Sequence, residues 1–314
     1  MFQKSLVLYF KTTLLNQITI KNSSIELVVL DFGAIIQKII IKDKNGKPIN
    51  VVVDLEKPED YLNDKMYLGA CIGRYAGRIS NGGFTLKNKK YAIKESNNVH
   101  LHGGEIGFNQ KYFIIDEVNH GEEPFIRLSY LSKDLEEGYP GNLTVTVTYT
   151  LIGESLKITH QAITDKTTVV NLTNHSYFKL DETNTVAHYD LNLNCSQITE
   201  TYNNLLPTGN FLPVADGKYD FRKKRKIGSP FLDTPFAIDS IKEIAAEAYS
   251  EISGIKLQVK TNQPALIIYT PPTTGSICFE TQNFPDAPNQ TNFPSSVLYP
   301  NEVYLNESIF TFTT

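Results

Sequence analysis

A strict two-residue alternation constrains the fold of this chain more than any other feature. From Leu143 to Leu151 the sequence reads LTVTVTYTL, so apolar and aromatic residues alternate with threonines. Successive side chains of a strand point to opposite faces, so this pattern predicts a strand with one buried and one polar face. The β-branched residues that fill the segment favour the same conformation.

A second pattern predicts a hairpin nearer the N-terminus. The segments IIQKIIIKD and INVVVDL flank Lys44-Asn45-Gly46-Lys47. Asn-Gly readily adopts the positive φ angles of a tight turn, so we expect two antiparallel strands joined here.

Helix signals are scarce in the remainder of the chain. The one helix candidate is Ile241–Tyr249, IKEIAAEAY, although strand-like text such as IKLQVK follows it and leaves a strand as the alternative. A doubly wound fold would need regular helices between the strands. No linker, repeat or composition shift divides the chain, so the sequence predicts one all-β domain over residues 1–314, a large sandwich or barrel.

Charge and cysteine usage narrow the choice of partners and compartment. The net charge of −4 argues against a nucleic-acid partner, which would need many Lys and Arg contacts to phosphate. The basic run Arg222–Lys226 lacks interleaved aromatic residues, so we interpret it as a solvated loop or edge strand rather than a phosphate or RNA patch. Three widely spaced cysteines, Cys71, Cys195 and Cys278, imply no disulfide framework.

The apolar content does not predict a targeting or membrane segment. The N-terminal apolar run is short, is interrupted by Lys11 and lacks a small-residue cleavage site. No apolar stretch approaches the roughly 20 residues that span a bilayer. We therefore expect an intracellular, cytoplasmic protein without a membrane partner.

Histidines supply two candidate sites. His100 and His102 form an H-x-H pair whose imidazoles would share a strand face, and with Glu105 nearby this predicts, as a minor alternative, a metal site of the kind found in cupins. His175 would share a face with Thr173 and Tyr177, which places an imidazole beside a phenol, as in a polar pocket. The competing interpretation of His175 is a buried, hydrogen-bonded structural residue.

One carboxylate and two arginines complete the candidates. Glu280 ends an apolar run and precedes the polar loop TQNFPD, whereas most acidic residues are solvated surface charges. Arg74 and Arg78 carry guanidinium groups that suit hydroxyl-rich or anionic ligands, although either one could equally close a structural ion pair.

Several motifs in order along the chain resemble the aldose 1-epimerase (galactose mutarotase) family over essentially its whole length. They are the segments GRYAGRI, LHGG, TNHSYF, FLDTPFAID and ETQNFPDAPN. The resemblance implies a single-domain antiparallel β-sandwich, the galactose mutarotase-like supersandwich, and an isomerase that interconverts the α and β anomers of free hexoses.

The resemblance also implies a role for individual residues. His175 would be the general acid and Glu280 the general base of ring opening and reclosure. The residues that would contact the sugar are His102, Arg78, Asp233 and Gln263. Departures from the family pattern at Gly77, Phe113 and Thr234 leave the preferred sugar open.

The reaction implied by the resemblance needs only proton transfer. Positioned acid and base groups suffice for it, so we expect no cofactor and no metal, and a monosaccharide as the partner. The chain would act as a monomer or homodimer. Two alternatives remain open: a catalytically silent sugar-binding protein on the same fold, and an epimerase of sugar phosphates that would need a cationic subsite.

Overall fold

Strands dominate the architecture. The computed structural model describes residues 6–10, 13–94, 99–229 and 231–314, with side chains from Leu15 onward. The strands of the N-terminal half are β1 (Leu6–Phe10), β2 (Thr13–Lys21), β3 (Glu26–Leu30), β4 (Ile35–Lys42), β5 (Pro48–Asn50), β6 (Cys71–Ile72), β7 (Arg78–Ile79), β8 (Gly83–Leu86), β9 (Lys89–Ala92), β10 (His100–Leu101), β11 (Ile114–Asn119), β12 (Phe125–Ser132), β13 (Leu143–Ile152) and β14 (Ser155–Thr164).

The C-terminal half continues the pattern, and the helical residues described lie in short 3-10 turns. These turns are Pro58–Asn63, Phe108–Gln110, Glu136–Gly138 and Ala287–Asn289. The remaining strands are β15 (Thr168–Val169), β16 (Thr173–Asn174), β17 (Tyr177–Phe178), β18 (Asp190–Leu193), β19 (Gln197–Thr201), β20 (Pro207–Pro213), β21 (Arg225–Lys226), β22 (Asp233–Ala237), β23 (Ala246–Tyr249), β24 (Lys256–Thr261), β25 (Ala265–Tyr269), β26 (Ile277–Gln282), β27 (Val297–Leu298) and β28 (Tyr304–Thr313).

Three antiparallel sheets form the body of the molecule. The largest has nine strands in the order β11-β12-β13-β14-β28-β24-β23-β18-β21. The second has six strands in the order β17-β26-β25-β22-β19-β20, and the third contains β1 to β5 in sequence. Val29 of β3, Val147 of β13 and Phe279 of β26 belong to one buried cluster. The sheets therefore pack face to face on a shared apolar core, which confirms the predicted β-sandwich.

The two sequence patterns read as strands are confirmed. Strand β13 covers Leu143–Ile152, and its residues alternate between buried and more exposed positions along most of its length. Strands β4 and β5 pair across the Asn45-Gly46 turn, where Gly46 has a φ of 79°. Among the described residues, no helix is both long and apolar enough to cross a membrane.

The helix candidate Ile241–Tyr249 was wrong. Residues Ala246–Tyr249 form β23, which pairs with β18 on one side and β24 on the other. Its burial alternates between buried and intermediate, as expected for a strand whose one face packs on the core. Two neighbouring strands offer the backbone more hydrogen bonds than an isolated turn of helix, so tertiary pairing overrides the local preference of Ala and Glu.

The six-stranded sheet separates the core from a polar cavity. On β26, Phe279 belongs to the core cluster, whereas Glu280 and Gln282 line the cavity on the opposite face. The strand is buried along its whole length, because one face meets the core and the other meets the groups around the cavity. The two-residue period of β26 therefore places a carboxylate in a largely desolvated site.

Candidate active site

Five of the six sequence-predicted site residues surround one cavity of about 230 Å³. Its wall combines charged, imidazole and aromatic groups, a mixture that suits a small polar ligand. The predicted residues in the wall are Arg78, His102, His175, Asp233 and Glu280. Other lining residues include Lys65, Met66, Tyr67, Gly77, Tyr177, Thr201, Leu205, Ile267, Tyr269, Gln282 and Pro285.

His175 is held between two short strands. It follows β16, and its backbone N–H donates to Ala70 O at 2.9 Å while its carbonyl accepts from Gly69 N at 3.0 Å. The ring stacks on Tyr177 with centroids 5.0 Å apart, which confirms the predicted pairing of imidazole and phenol. Its Nδ1 lies 3.8 Å from Cys278 Sγ. These contacts fix the ring orientation and leave Nε2 facing the cavity.

Glu280 meets His175 across the cavity floor. Their side chains are 5% and 4% exposed, and His175 Nε2 lies 3.5 Å from Glu280 Oε1. The carboxylate belongs to β26, which lies between β17 and β25 in the six-stranded sheet, with Ile267 of β25 as its register partner. A base and an acid separated by this distance can act on two atoms of one bound ligand.

His102 and Arg78 reach the cavity through a two-strand pair. Strands β7 and β10 pair with Leu101 opposite Arg78, and His102 N donates to Gly77 O at 3.0 Å. The Gly77 N–H in turn donates to His102 Nδ1 at 3.3 Å. With Nδ1 as an acceptor, a neutral His102 carries its hydrogen on Nε2 and can donate it to a ligand oxygen.

Asp233 faces Arg78 at a more open level of the cavity. The Arg78 Nη2 to Asp233 Oδ2 distance is 3.8 Å, and the two side chains are 23% and 22% exposed. Asp233 begins β22 and pairs with Tyr269 of β25. One residue supplies hydrogen-bond donors and the other acceptors, so together they suit a ligand with several hydroxyl groups.

Burial shifts the titration of the central pair in opposite directions. It raises the pKa of Glu280 to about 8, and the negative charge of Asp233 adds to the shift while Arg78 opposes it. Burial lowers the pKa of His175 to about 4. The pKa of His102 is lowered well below its usual range, first by burial and then by the neighbouring His175 and Arg78. Between about pH 4 and 8 these shifts favour a protonated Glu280 beside a neutral His175.

Gln263 is the predicted site residue that the structure does not bring to the cavity. It lies in the turn between β24 and β25, outside the cavity wall. Its Nε2 donates to Asn262 Oδ1 at 2.7 Å and to Leu305 O at 3.1 Å. The prediction was wrong because the side chain is used to fasten the turn, whereas Ile267 and Tyr269 further along β25 face the cavity.

The predicted alternative metal site of His100, His102 and Glu105 does not form. His100 is buried, with Nδ1 2.6 Å from Lys94 O and Nε2 2.6 Å from Tyr139 Oη. Glu105 is exposed and pairs with Lys94. Within the described part of the chain, the group with metal-ligand spacing is instead His102, His175 and Glu280, whose ligand atoms lie within 4.8 Å of one another. The hydrogen on His102 Nε2 suits donation to a ligand oxygen better than metal ligation.

Comparison with known proteins identifies the family of this chain. The chain matches the family described as aldose 1-epimerase over residues 16–311. The chain belongs to the aldose 1-epimerase family. It is 34% identical to galactose mutarotase of Rattus norvegicus, with 94% of this chain and 93% of that protein covered. It is 30% identical to aldose 1-epimerase of Escherichia coli K12, with 90% of each covered.

Two solved structures show the same fold. The aldose epimerase homologue from C. elegans superimposes with a TM-score of 0.90 at 28% sequence identity, covering 95% of this chain and 99% of that one. The galactose 1-epimerase from Lactobacillus acidophilus gives a TM-score of 0.87 at 27% identity, with 98% and 97% covered.

Aromatic residues around the epimerase cavity were missed from the sequence. Tyr67 contacts both histidines, with ring centroids 4.9 Å from His102 and 5.9 Å from His175. Tyr269 packs edge-on against Tyr177 at 6.1 Å. Tyr67 and Tyr269 lie far apart in the chain, and no local pattern marks either of them, so only the tertiary fold reveals their shared surface.

Of the three departures from the epimerase pattern, Gly77 alone lies among the described cavity residues. Its φ is 81°, and a Cβ at this position would approach Pro285 Cγ to 3.0 Å. Phe113 is buried beside Phe108 and Tyr130, and Thr234 points away from the cavity as a buried residue of β22. We therefore expect Gly77 to influence the sugar contact more than Phe113 or Thr234 do.

Proposed function

We propose that this protein is an aldose 1-epimerase that interconverts the α and β anomers of free hexoses such as galactose and glucose. The observation that carries the proposal is the approach of His175 Nε2 to Glu280 Oε1 at 3.5 Å on the floor of a polar cavity. Family membership supports the same activity.

Anomer exchange requires opening of the pyranose ring, rotation about the C1–C2 bond and reclosure on the other face of the aldehyde. Opening removes a proton from the C1 hydroxyl and delivers one to the ring oxygen. Both transfers are slow from water at neutral pH, so an acid and a base at opposite ends of the hemiacetal accelerate the reaction. Glu280 takes the hydroxyl proton and His175 protonates the ring oxygen, and they exchange roles during closure.

The pair holds the one proton that this cycle needs. Before the sugar binds, burial favours the proton on Glu280, because it raises the pKa of Glu280 to about 8 and lowers that of His175 to about 4. This resting state is the reverse of the carboxylate and imidazolium expected from ordinary pKa values. Ring opening therefore requires the shared proton to lie on His175 when the sugar is bound, and this transfer within the pair takes up no proton from solvent.

The other cavity residues hold the sugar while its aldehyde end rotates. His102 donates from Nε2 toward the ring oxygen and stabilises the charge that develops there. Arg78 and Asp233 bind hydroxyl groups at the more open end of the cavity. These two anchors keep the reacting atoms close to Glu280 and His175 through both half-reactions.

We further propose that the protein acts in the cytoplasm as one domain over residues 1–314, without metal, cofactor or nucleic acid, as a monomer or homodimer. The basic run Arg222–Lys226 supports no sugar-phosphate subsite, because none of its residues belongs to the cavity wall. Arg222 pairs with Asp220 and Lys226 with Asp190 instead.

Polarimetry of freshly dissolved α-D-galactose and α-D-glucose tests this function. The purified protein should accelerate the decay of optical rotation to equilibrium, and EDTA should leave the rate unchanged. Hexose 6-phosphates should not compete with galactose. A protein that binds these sugars without changing the rate would be the silent binding protein, and the proposed activity would be rejected.

A further inference from the structure

A large, exposed aromatic side chain packs on the cavity wall from outside, beyond the residues assigned to the hexose. Phe231 is 56% exposed, and its ring packs edge-on against Tyr269 with centroids 5.9 Å apart and an interplanar angle of 84°. Tyr269 itself lines the cavity. The exposed face of Phe231 is therefore continuous with the cavity wall.

The backbone places Phe231 on the same side as the sugar-binding carboxylate. Leu232 is fully buried, and its N–H donates to Thr270 Oγ1 at 2.9 Å while its carbonyl accepts from Thr270 N at 2.9 Å. This extended pairing turns Leu232 toward the interior and its neighbours, Phe231 and Asp233, toward the opposite side. Asp233 lines the cavity, and Phe231, two residues before it in this extended segment, lies on the same face.

Exposure rises steadily along this line. The side chain of Glu280 is 5% exposed, that of Asp233 is 22% exposed, and Phe231 reaches 56% as a whole residue. A single exposed aromatic residue is normal on a protein surface. Here the ring is the most exposed member of a row of side chains that begins at Glu280 and continues through Asp233. This position predicts a contact between Phe231 and the part of a bound ligand that extends out of the cavity.

We propose that Phe231 forms a subsite for the second sugar ring of a 4-linked reducing disaccharide. This inference rests on the proposed epimerase function. Carbons 1 and 4 lie on opposite sides of a pyranose ring, so a hexose with its C1 hydroxyl at Glu280 directs C4 past Asp233 toward Phe231. The apolar C–H face of the next ring packs on the exposed aromatic face, which buries apolar surface of both partners.

Maltose, lactose and glucose distinguish this subsite from a general effect on the site. The wild-type protein should anomerise all three in polarimetry. Phe231→Ala should lower kcat/KM for maltose and lactose about three- to tenfold, mainly through KM, and change that for glucose less than about twofold. Phe231→Tyr should restore the disaccharide values. Tyr299→Ala, which removes another exposed aromatic side chain outside the cavity wall, serves as the matched control.

The outcomes separate this inference from the function on which it rests. If Phe231→Ala lowers the glucose and disaccharide values equally, or leaves all of them unchanged, the subsite is rejected. Turnover of glucose with no turnover of either disaccharide by the wild-type protein also rejects it. Absence of turnover with every sugar, glucose and galactose included, would reject the epimerase function itself.

Discussion

Two buried histidines, one in the cavity and one in the nine-stranded sheet, show what distinguishes a reactive site from an apolar interior. Burial lowers the pKa of both His175 and His160 to about 4. His160 lies on β14 and is 2% exposed, and neither of its ring nitrogens has a hydrogen-bond partner among the described residues. His175 is buried to a similar degree, but its Nε2 lies 3.5 Å from Glu280 Oε1, and both groups line a cavity.

The two histidines differ in their neighbouring groups rather than in their pKa values. A neutral imidazole in an apolar sheet has no group with which to exchange a proton. The same imidazole beside a carboxylate can pass a proton through a ligand that touches both. A lowered pKa is therefore a property of burial, and chemistry requires a second reactive group and a cavity in which one ligand can contact both.

The two histidines should respond very differently to substitution. His175→Asn should lower kcat for α-D-galactose about 10²–10⁴-fold, because it removes one of the two proposed proton-transfer groups. His160→Asn should leave kcat within about twofold, although it can change thermal stability. Polarimetry at matched folded concentrations, with circular dichroism to verify the fold, measures both. Equal losses of kcat in the two variants would show that His175 in the cavity is no more important for catalysis than His160 in the nine-stranded sheet.

Asp233 should affect binding more than chemistry, because we propose that it binds a sugar hydroxyl away from the reacting atoms. Asp233→Asn should raise KM roughly 10–100-fold, the loss expected for a hydrogen bond to a charged group. The same change should lower the pKa of Glu280, since the charge of Asp233 contributes to raising it. Asp220→Asn, outside the cavity wall, is the control. An unchanged KM would show that Asp233 does not bind the sugar.

The pH dependence of kcat/KM should report the cavity pair and not His160. Below about pH 4, His175 gains a proton while Glu280 is still protonated, so no base remains. Above about pH 8, Glu280 loses its proton while His175 is neutral, so no acid remains. The profile should be bell-shaped, falling about tenfold per pH unit beyond each limb. His160→Asn should leave both limbs in place, and a shift of either limb would contradict the comparison.

Gln263 should have the smallest effect of the residues first assigned to the sugar. Its amide is used by Asn262 and Leu305 outside the cavity, so Gln263→Ala should change KM less than about threefold. A small loss of thermal stability is expected from the lost hydrogen bonds. A tenfold or larger rise in KM with unchanged stability would contradict this expectation and support Gln263 as a sugar-binding residue.

Local patterns predicted the strands and hairpin because a two-residue alternation and an Asn-Gly turn are encoded within a few residues. The motifs around His175 and Glu280 predicted the chemistry, because each carries a reactive group in a recognisable segment. The same approach failed at Ile241–Tyr249, where pairing with β18 and β24 overrides local preference. It failed at Gln263, whose direction depends on the carbonyl of Leu305 in a distant strand.

The protonation states of Glu280 and His175 also could not be predicted from the sequence. Ordinary pKa values predict a carboxylate and an imidazolium for Glu280 and His175. The opposite pKa shifts of the two groups depend on how much protein surrounds them, which only the packing of the sheets determines. The aromatic wall contributed by Tyr67 and Tyr269 likewise exists only after those sheets assemble.

The turnover of Glu280→Gln tests the central proposition most directly, since this change keeps the size of the side chain and removes its capacity to accept a proton. We predict a fall in kcat of about 10²–10⁴-fold for α-D-galactose, with folding retained and with Glu251→Gln, an exposed position, unaffected. Turnover of folded Glu280→Gln close to that of the wild-type protein would contradict the proposed catalytic pair.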